Sequence, residues 1–340
     1  MSEHTAAAND GVVGRSEHRA SAPGAFAVLG GTGLIGAAIV RRLLDEGCSV
    51  QVLARRPPTE RSAPLLEGAT VLVGSAADPT ALRAAINGAE HVVDALGAPH
   101  PADSARAPLA QFDAEIPILL GVLDELRRRP GVGFTYLSSG GAIYGDVDTL
   151  PVPESSECHP VSPYGVTKLA AERYVLMAAH ADGVDARILR VANAYGALQR
   201  PRTGQGVVAA LLDAAVTSAP VQLFGDGSAV RDFVDVRDVA KAVATLSGRA
   251  DTPSVVNVGS GTGHRMTEVI EIVESVTGTK IAVQHAAARP SDVRAVVLDV
   301  ARLRALMSWE PITLERGIQD MWESWRRLGL DRTDHAADVR

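Results

Sequence analysis

Apolar and polar residues alternate along the chain in two rhythms. Short apolar or β-branched runs, among them FAVLG, VQVLA, TVLVG, HVVDAL, GFTYLS and ARILRV, are separated by longer segments whose apolar residues recur three and four positions apart. The short runs predict strands and the longer spacing predicts amphipathic helices. Because alternating strands and helices are typical of a parallel sheet covered on both faces, the pattern predicts an α/β fold with a doubly wound parallel sheet.

The character of the sequence changes near Ala197, where the chain becomes rich in Gly, Pro and Asp. We predict that residues 25–196 form mainly one domain and that residues 197–330 form mainly a smaller α/β lobe with interleaved returning strands. Tails are predicted at residues 1–24 and 331–340. Helices are predicted in both parts, at residues 34–46, 116–129, 206–217, 238–246 and 267–277.

The composition excludes several classes of function. The 340-residue chain carries a net charge of −7, which offers no general attraction for nucleic acid or an anionic membrane. Its two cysteines, Cys48 and Cys158, and its histidines show no metal-ligand spacing, so we expect no metal site and no disulfide framework. The first two dozen residues lack the apolar centre of a signal peptide or membrane helix. We therefore expect a cytoplasmic protein without nucleic-acid or membrane partners.

The stretch FAVLGGTGLIGAAIV joins a predicted strand to a predicted helix through Gly30, Gly33 and Gly36. Glycine can take positive φ in such a turn, lets the backbone approach a pyrophosphate, and lets helix and strand pack closely, while the helix N-terminus offers free N–H groups to negative charge. A lone glycine triplet could be no more than a tight turn. Here the flanking strands and helix complete the context, so the stretch predicts a Rossmann-type dinucleotide-binding domain.

The next predicted strand ends in VQVLARRPP, which bears on the choice of dinucleotide. In folds of this type an acidic residue at this strand end usually binds the free 2′-hydroxyl of NAD. This chain has Ala54 there, followed by Arg55 and Arg56. Guanidinium groups complement a 2′-phosphate through charge-assisted bonds, so NADP(H) is the favoured cofactor and NAD(H) the alternative. The two arginines could also be solvated surface charges.

The stretch SPYGVTKLAAERY places Tyr164 and Lys168 four residues apart at the start of a predicted helix, so that both side chains lie on one face. A lysine beside a tyrosine favours phenolate over phenol and lowers a tyrosine pKa that is ordinarily about 10. Such a tyrosine can exchange a proton with a carbinol or carbonyl oxygen while hydride moves to or from a nicotinamide. The pair therefore indicates an oxidoreductase.

Taken together, these motifs make the chain resemble the extended short-chain dehydrogenase/reductase family, and in particular its branch of nucleotide-sugar epimerases, dehydratases and 4-ketoreductases. The resemblance extends over residues 26–328. It rests on GGTGLIG, LSSGGAIYG, SPYGVTKLAAE, RVANAYG, FGDGSAVRDFVDVRDVAKA, ARPSDVRAVVLD and a late WEP turn. It implies a Rossmann-type sheet with a smaller C-terminal α/β lobe for the substrate.

The resemblance also implies roles for single residues. Tyr164 is the expected acid/base and Lys168 its partner, which also holds the nicotinamide ribose. Family members carry a serine or threonine four residues before the tyrosine of the VYG-like segment, which here is Tyr144, and the matching position is Gly140. The nearest hydroxyl that could bind the reacting oxygen is that of Ser139, although Ser139 could instead cap the loop or contact the cofactor.

Two further groups of residues match family positions that surround the ligands. For the substrate, Arg231 matches an arginine that pairs with the diphosphate, and the others line the pyrophosphate, base and ribose; ordinary intramolecular contacts remain the alternative for each. The substrate group consists of Asn193, Phe224, Arg231, Arg289 and Asp292. The cofactor group consists of Gly30, Thr32, Gly33, Leu34, Ile35, Gly36, Arg55, Arg56, Ser75, Ala76, Leu96, Gly97, Tyr164 and Lys168.

Two reactions compete within this branch. A 4-ketoreductase uses NADPH to reduce a 4-keto-6-deoxy sugar, for example one linked to dTDP, whereas a UDP-hexose 4-epimerase keeps NAD bound and returns the hydride to the opposite face. Arg55, Arg56 and the missing hydroxyl favour the reductase, with the epimerase as the alternative and a non-catalytic NADP(H)-binding regulator as a third. A 4,6-dehydratase is disfavoured because Gly141 and Ala142 stand where that chemistry needs two acidic residues.

The resemblance implies two kinds of partner. One is a nucleotide-diphosphate sugar as substrate. The other is a second copy of the chain, because family members usually form homodimers through the helix that carries the tyrosine and lysine and the long helix before it. Here those helices are predicted at residues 163–178 and 116–129.

Overall fold

The computed structural model describes residues 24–97, 104–199, 206–249, 251–289 and 292–329. The predicted tails lie outside the described residues, apart from Gly24. A seven-stranded parallel sheet forms the centre of the protein, in the strand order β10-β6-β5-β4-β1-β2-β3. In chain order its strands are β1 (Ala25–Leu29), β2 (Ser49–Ala54), β3 (Thr70–Val73), β4 (His91–Asp94), β5 (Gly133–Ser139), β6 (Asp185–Val191) and β10 (Val255–Val258).

The prediction of a Rossmann-type α/β fold is confirmed, because helices cover both faces of this sheet. Five of the predicted helices hold to within two residues at either end, whereas the helix predicted at residues 163–178 continues to Asp182. The α-helices are α1 (Leu34–Asp45), α2 (Pro79–Ile86), α3 (Pro108–Asp113), α4 (Ile116–Arg127), α5 (Gly140–Ile143), α6 (Pro163–Asp182), α7 (Val207–Thr217), α8 (Val236–Leu246), α9 (Met266–Thr277), α10 (Ala301–Leu306) and α11 (Leu314–Arg327).

The inner apolar strands, such as β1, β4 and β5, are buried on both faces, which is why they read as continuous apolar runs and not as alternating ones. Val28 packs into a core that includes helices α1 and α8, while its neighbour Ala27 packs into a second core on the other face with helices α2, α4 and α6. Both residues are fully buried. The sheet is therefore a rigid platform between two cores, and its strand ends are fixed relative to each other.

The second half of the chain builds a smaller part and also returns to the main sheet. Strand β10 pairs with β6 at the edge of the seven-stranded sheet, so the two parts are interleaved in the chain. A third core lies between helices α7, α9 and α11. The remaining strands form small sheets, with β9 at the centre of one of them; they are β7 (Asn193–Tyr195), β8 (Val221–Phe224), β9 (Val230–Asp235), β11 (Gly263–Arg265), β12 (Val283–Ala286) and β13 (Ala295–Val296).

The parallel pairing places the predicted functional segments at one edge of the sheet. The glycine turn follows β1, Ala54 ends β2, and Ser139 ends β5. Since carboxyl ends of parallel strands meet at the same edge, these segments share one side of the molecule.

Candidate active site

The glycine turn after β1 has the close contacts that its sequence predicted. Gly30 has φ +81°, and a Cβ built on it would lie 2.6 Å from the Ala95 carbonyl oxygen. A Cβ on Gly36 would overlap the Gly30 carbonyl oxygen. Only glycine satisfies both positions, because the first needs the left-handed region and the second needs helix α1 to pack against the turn.

The N-terminus of helix α1 is open to an anion. Gly33 is the N-cap residue, and no side chain caps the helix there. The N–H groups of a first helical turn have no partners within the helix, and together with the helix dipole they favour negative charge. These features fit the pyrophosphate of a dinucleotide, and the predicted residues Thr32, Leu34 and Ile35 lie in or beside this turn.

The end of strand β2 has no acidic group. Ala54 is buried, while Arg55 and Arg56 are exposed. Neither arginine forms a hydrogen bond or an ion pair with another residue in the described ranges. Both guanidinium groups are therefore available to an external anion.

The other predicted cofactor residues follow neighbouring strands. Ser75 and Ala76 come after β3, and the Ser75 hydroxyl accepts a hydrogen bond of 3.2 Å from the Ala77 amide. Leu96 and Gly97 come after β4. All four lie at the carboxyl edge of the sheet near the glycine turn, where a dinucleotide would pass.

Helix α6 presents Tyr164 to the loop that follows β5. Ser162 caps the helix by accepting a hydrogen bond of 3.1 Å from the Gly165 amide, and Pro163 occupies the first turn. A Cβ on Gly165 would overlap the Ala142 carbonyl oxygen, so glycine is needed for the helix to press against the loop. This packing brings half-buried Tyr164 to the loop that contains Ser139 and Gly140.

Lys168 lies on the same helix face and is almost fully buried. Its Nζ is 6.0 Å from the centre of the Tyr164 ring, 2.7 Å from Glu115 Oε1, 3.1 Å from the Tyr136 hydroxyl and 3.0 Å from the Leu137 carbonyl oxygen. Burial would lower the pKa of Lys168, but the neighbouring oxygens of Tyr136 and Glu115 outweigh it and hold that pKa well above its ordinary value. The lysine is therefore a fixed cation beside the predicted acid/base.

Sequence reasoning missed the polar residues around this lysine. Glu115, Tyr136 and Asp94 come from three separate elements, and no motif links them. Burial raises the pKa of Asp94 to about 6 and that of Tyr136 well above its ordinary value. The only sequence signal for these polar residues was an acid, Glu115, directly before an apolar helix.

The loop after β5 has no room for a hydroxyl side chain at position 140. A Cβ on Gly140 would lie 2.6 Å from Leu298 Cδ1 and 3.1 Å from the Arg190 carbonyl oxygen. Ser139 is partly exposed and precedes the single turn of helix α5, but its side chain does not cap that helix. Helix capping therefore does not occupy the Ser139 hydroxyl.

The five predicted substrate residues form one group of three and two single residues. The Arg289 guanidinium carbon lies 3.5 Å from the centre of the Phe224 ring, and the Asp292 carboxylate accepts a hydrogen bond of 3.4 Å from the Arg289 amide. Asn193, the first single residue, donates to the Asp232 carbonyl oxygen at 3.0 Å and lies beside Gly141 of helix α5.

Arg231 is the second single residue, and within the described residues its guanidinium forms hydrogen bonds only with backbone carbonyls. It donates to the Val230 carbonyl oxygen at 2.9 Å and lies 3.5 Å from that of Arg294. Burial lowers the pKa of Arg231, while Asp292 and Asp146 act in the opposite direction. A partly buried guanidinium that forms no ion pair with a carboxylate among the described residues suits an incoming phosphate.

Two further observations concern other kinds of site. In the described ranges, no three His, Cys, Asp or Glu side chains come together in a way that could hold a metal ion. The described helices also include none with the length and apolar character needed to span a bilayer.

Comparison with known proteins gives a consistent result. A family model for the NAD-dependent epimerase/dehydratase family matches residues 26–259. The UDP-glucose 4-epimerase of Corynebacterium glutamicum is 29% identical over 325 residues, covering 91% of this chain and 98% of the relative. The dTDP-6-deoxy-L-talose 4-dehydrogenase (NAD(P)+) of Kitasatospora kifunensis is also 29% identical, covering 89% of this chain and 96% of the relative.

A solved structure matches the fold over nearly the same length. The UDP-glucose 4-epimerase of Thermus thermophilus in complex with NAD superposes with a TM-score of 0.82 at 30% sequence identity, covering 89% of this chain and 99% of the other. The matched region includes both the main sheet and the smaller lobe, so the similarity is not limited to a shared dinucleotide-binding domain.

Proposed function

The chain belongs to the NAD-dependent epimerase/dehydratase family, and we propose that it is a UDP-hexose 4-epimerase that uses Tyr164 as acid/base. One observation carries the proposal: Tyr164 and Lys168 lie together on helix α6 in a chain that is similar, over nine-tenths of its length, to a UDP-glucose 4-epimerase. The ketoreductase that the sequence favoured is the second candidate.

The chemistry of the proposal needs one proton carrier next to the sugar. When bound, a nicotinamide dinucleotide supplies the hydride acceptor and donor. Tyr164 takes the proton of the 4-hydroxyl as the carbon–hydrogen bond at carbon 4 breaks, and it returns the proton when the alcohol forms again with opposite configuration. Lys168 remains charged beside the ring and favours the phenolate that the oxidative step requires.

The hydroxyl of Ser139 is proposed to hold the reacting oxygen of the sugar. Gly140 cannot serve because glycine has no hydroxyl, whereas Ser139 carries one and is partly exposed at the carboxyl end of strand β5. A hydrogen bond from this hydroxyl to the oxygen at carbon 4 would strengthen as negative charge develops on that oxygen. Arg231 is proposed to bind the diphosphate of the substrate.

An NADPH-dependent 4-ketoreductase is the second candidate, and the end of strand β2 favours it. Exposed Arg55 and Arg56, with buried Ala54 in place of an acid, suit a 2′-phosphate better than a free ribose hydroxyl. The similarity to the Kitasatospora 4-dehydrogenase is as high as that to the epimerase of C. glutamicum. The same Tyr164 would then donate a proton to the oxygen of a 4-keto sugar.

The test combines turnover with identification of the dinucleotide. The purified protein is denatured, the released dinucleotide is identified by mass spectrometry, and the native protein is assayed with UDP-galactose without added cofactor. The epimerase predicts bound NAD, formation of UDP-glucose, and a loss of at least about 100-fold in kcat for Tyr164→Phe. Turnover only of a dTDP-4-keto-6-deoxyhexose with added NADPH would replace the epimerase by the ketoreductase.

A further inference from the structure

A buried carboxylate contacts the ammonium of the proposed active-site lysine. Glu115 Oε1 is 2.7 Å from Lys168 Nζ, and both side chains are less than one-tenth exposed. The Tyr136 hydroxyl donates a short hydrogen bond to the same Oε1, and the Gln111 amide donates to the second oxygen at 3.2 Å. Glu115 is thus held at both oxygens and has a fixed geometry.

The position of Glu115 in the fold makes this contact specific. It immediately precedes helix α4, while Lys168 lies in helix α6, and the two helices pack side by side. A buried carboxylate or ammonium without a partner would be costly, and a buried pair of this kind reduces that cost only if its remaining polar atoms are bonded. Here Tyr136, Gln111 and the Leu137 carbonyl oxygen complete the set.

The Glu115–Lys168 pair changes the electrostatic field at Tyr164. An isolated lysine cation would stabilise the phenolate of Tyr164 strongly, whereas a cation in contact with a carboxylate acts as a dipole whose field falls off faster. The titratable groups that face the pair are Asp94 from β4, Tyr136 from β5 and Tyr164 from α6. Burial raises the pKa of Tyr136, so Tyr136 is neutral at pH 7 and Glu115 is the anion in direct contact with the lysine.

We propose that Glu115 is a positioning residue of the active site, which holds Lys168 in a buried ion pair and thereby limits how strongly the lysine cation favours ionised Tyr164. It acts through Lys168 and need not touch the substrate. This proposal depends on the proposed role of Tyr164 but not on which sugar is turned over or whether the reaction is an epimerisation or a reduction.

The test is a spectrophotometric titration of Tyr164. The absorbance of phenolate near 295 nm is followed against pH for the parent protein and its Tyr164→Phe variant, and the difference isolates Tyr164 among the five tyrosines. The same pair of titrations is made with Glu115→Gln, with matched dinucleotide content in all samples. We expect Glu115→Gln to lower the midpoint for Tyr164 by about one pH unit, a tenfold change in its acid dissociation constant.

Two further variants separate charge from structure. Glu115→Asp keeps a carboxylate and should leave the midpoint within a few tenths of a unit of the parent. Glu125→Gln serves as the matched control, since Glu125 is also buried on helix α4 and is paired with Arg83 and Arg128 but does not contact Lys168. It should not move the Tyr164 midpoint even if it lowers stability.

The outcome is informative whether or not the protein turns over the expected sugar. An unchanged midpoint in folded Glu115→Gln, or an equal shift in Glu125→Gln, would overturn the role of Glu115. Should Glu115→Gln fail to fold, Glu115→Asn offers a smaller neutral side chain for the same titration. If the parent protein does not turn over UDP-galactose while Glu115→Gln shows the expected shift, the epimerase alone is contradicted.

Discussion

Leu298 occupies the space that a side chain at Gly140 would need, because a Cβ built on Gly140 would lie 2.6 Å from Leu298 Cδ1. Both residues are buried, and Leu298 is fully so. The packing after strand β5 therefore leaves no space for a side chain at position 140. A single substitution there cannot introduce a hydroxyl without displacing Leu298.

Gly140→Ser is therefore expected to destabilise the protein. Overpacking of a well-packed core costs about 1–3 kcal/mol, and the contact here is with Leu298, a branched side chain that is fully buried. The free energy of unfolding is measured by urea denaturation. In a Leu298→Ala background the same serine should cost at least about 1 kcal/mol less, so equal costs in both backgrounds would show that Leu298 is not the obstacle.

Arg55→Ala and Arg56→Ala are expected to weaken binding of NADPH by about 10- to 100-fold and to leave binding of NADH nearly unchanged. The reason is that a guanidinium bonded to the 2′-phosphate contributes about 1.5–3 kcal/mol, whereas NADH has no such group. Fluorescence titration of both dinucleotides measures this.

Arg304→Ala is the matched control, because Arg304 is exposed and lies on helix α10. If both dinucleotides weaken equally, or if neither does, the arginines at the end of β2 do not read the 2′-phosphate. A parent protein that clearly prefers NADPH would favour the ketoreductase over the epimerase.

The fold and the cofactor turn could be predicted from sequence because their signals are local. The spacing of Gly30, Gly33 and Gly36 lies within one strand and one helix, and the four-residue spacing of Tyr164 and Lys168 lies within a single helix. Backbone geometry alone converts such spacings into positions in space.

Contacts across the fold could not be predicted in this way. Glu115 and Lys168 belong to two helical segments that are separated in the chain by strand β5 and meet only in the folded protein. Leu298 contacts the space beside Gly140 from a segment near the end of the chain. Neither contact has a sequence period, since both depend on how the elements pack. The preference for a reductase rested on Arg55, Arg56 and the missing hydroxyl at Gly140, while similarity over most of the chain supports the epimerase.

The stability of the protein should depend on the charge of His91. This residue is buried, and its Nε2 lies 2.8 Å from the Thr135 hydroxyl. Burial lowers the pKa of His91 from 6.5 to about 4, with a smaller opposite effect from Asp185. Because the unfolded state then binds the proton more tightly, the contribution of His91 to stability is complete above pH 6.5 and is lost as the pH falls toward 4.

His91→Gln isolates this effect from other groups, including Asp94, whose raised pKa acts in the opposite direction. The free energy of unfolding of the parent, measured relative to His91→Gln, should fall by about 3 kcal/mol between pH 7 and pH 4. Urea denaturation at a series of pH values provides the measurement. A difference that does not change with pH would contradict the lowered pKa.

A homodimer is predicted to form through helices α4 and α6. Exposed apolar side chains lie on these helices, including Leu120, which is 38% exposed, Val166 at 54% and Met177 at 48%. Val166→Glu or Met177→Glu should convert a dimer into a monomer in light scattering coupled to gel filtration.

Val73→Glu is the control for this prediction, because Val73 is 61% exposed on strand β3, away from both helices. The Val73→Glu variant should remain a dimer. A parent protein that is monomeric at micromolar concentration, or a dimer that survives both helix variants, would show that these helices do not form the interface.

The most direct measurement of the proposed function follows the hydrogen at carbon 4 of the sugar. The protein is incubated with UDP-galactose that carries deuterium at carbon 4, and the UDP-glucose formed is analysed by mass spectrometry and NMR. An epimerase that removes hydride from carbon 4 and returns it to the same carbon, with Tyr164 handling only the hydroxyl proton, predicts UDP-glucose that retains the deuterium. Product that has lost the deuterium, or no product from a folded protein with bound NAD, would contradict that account.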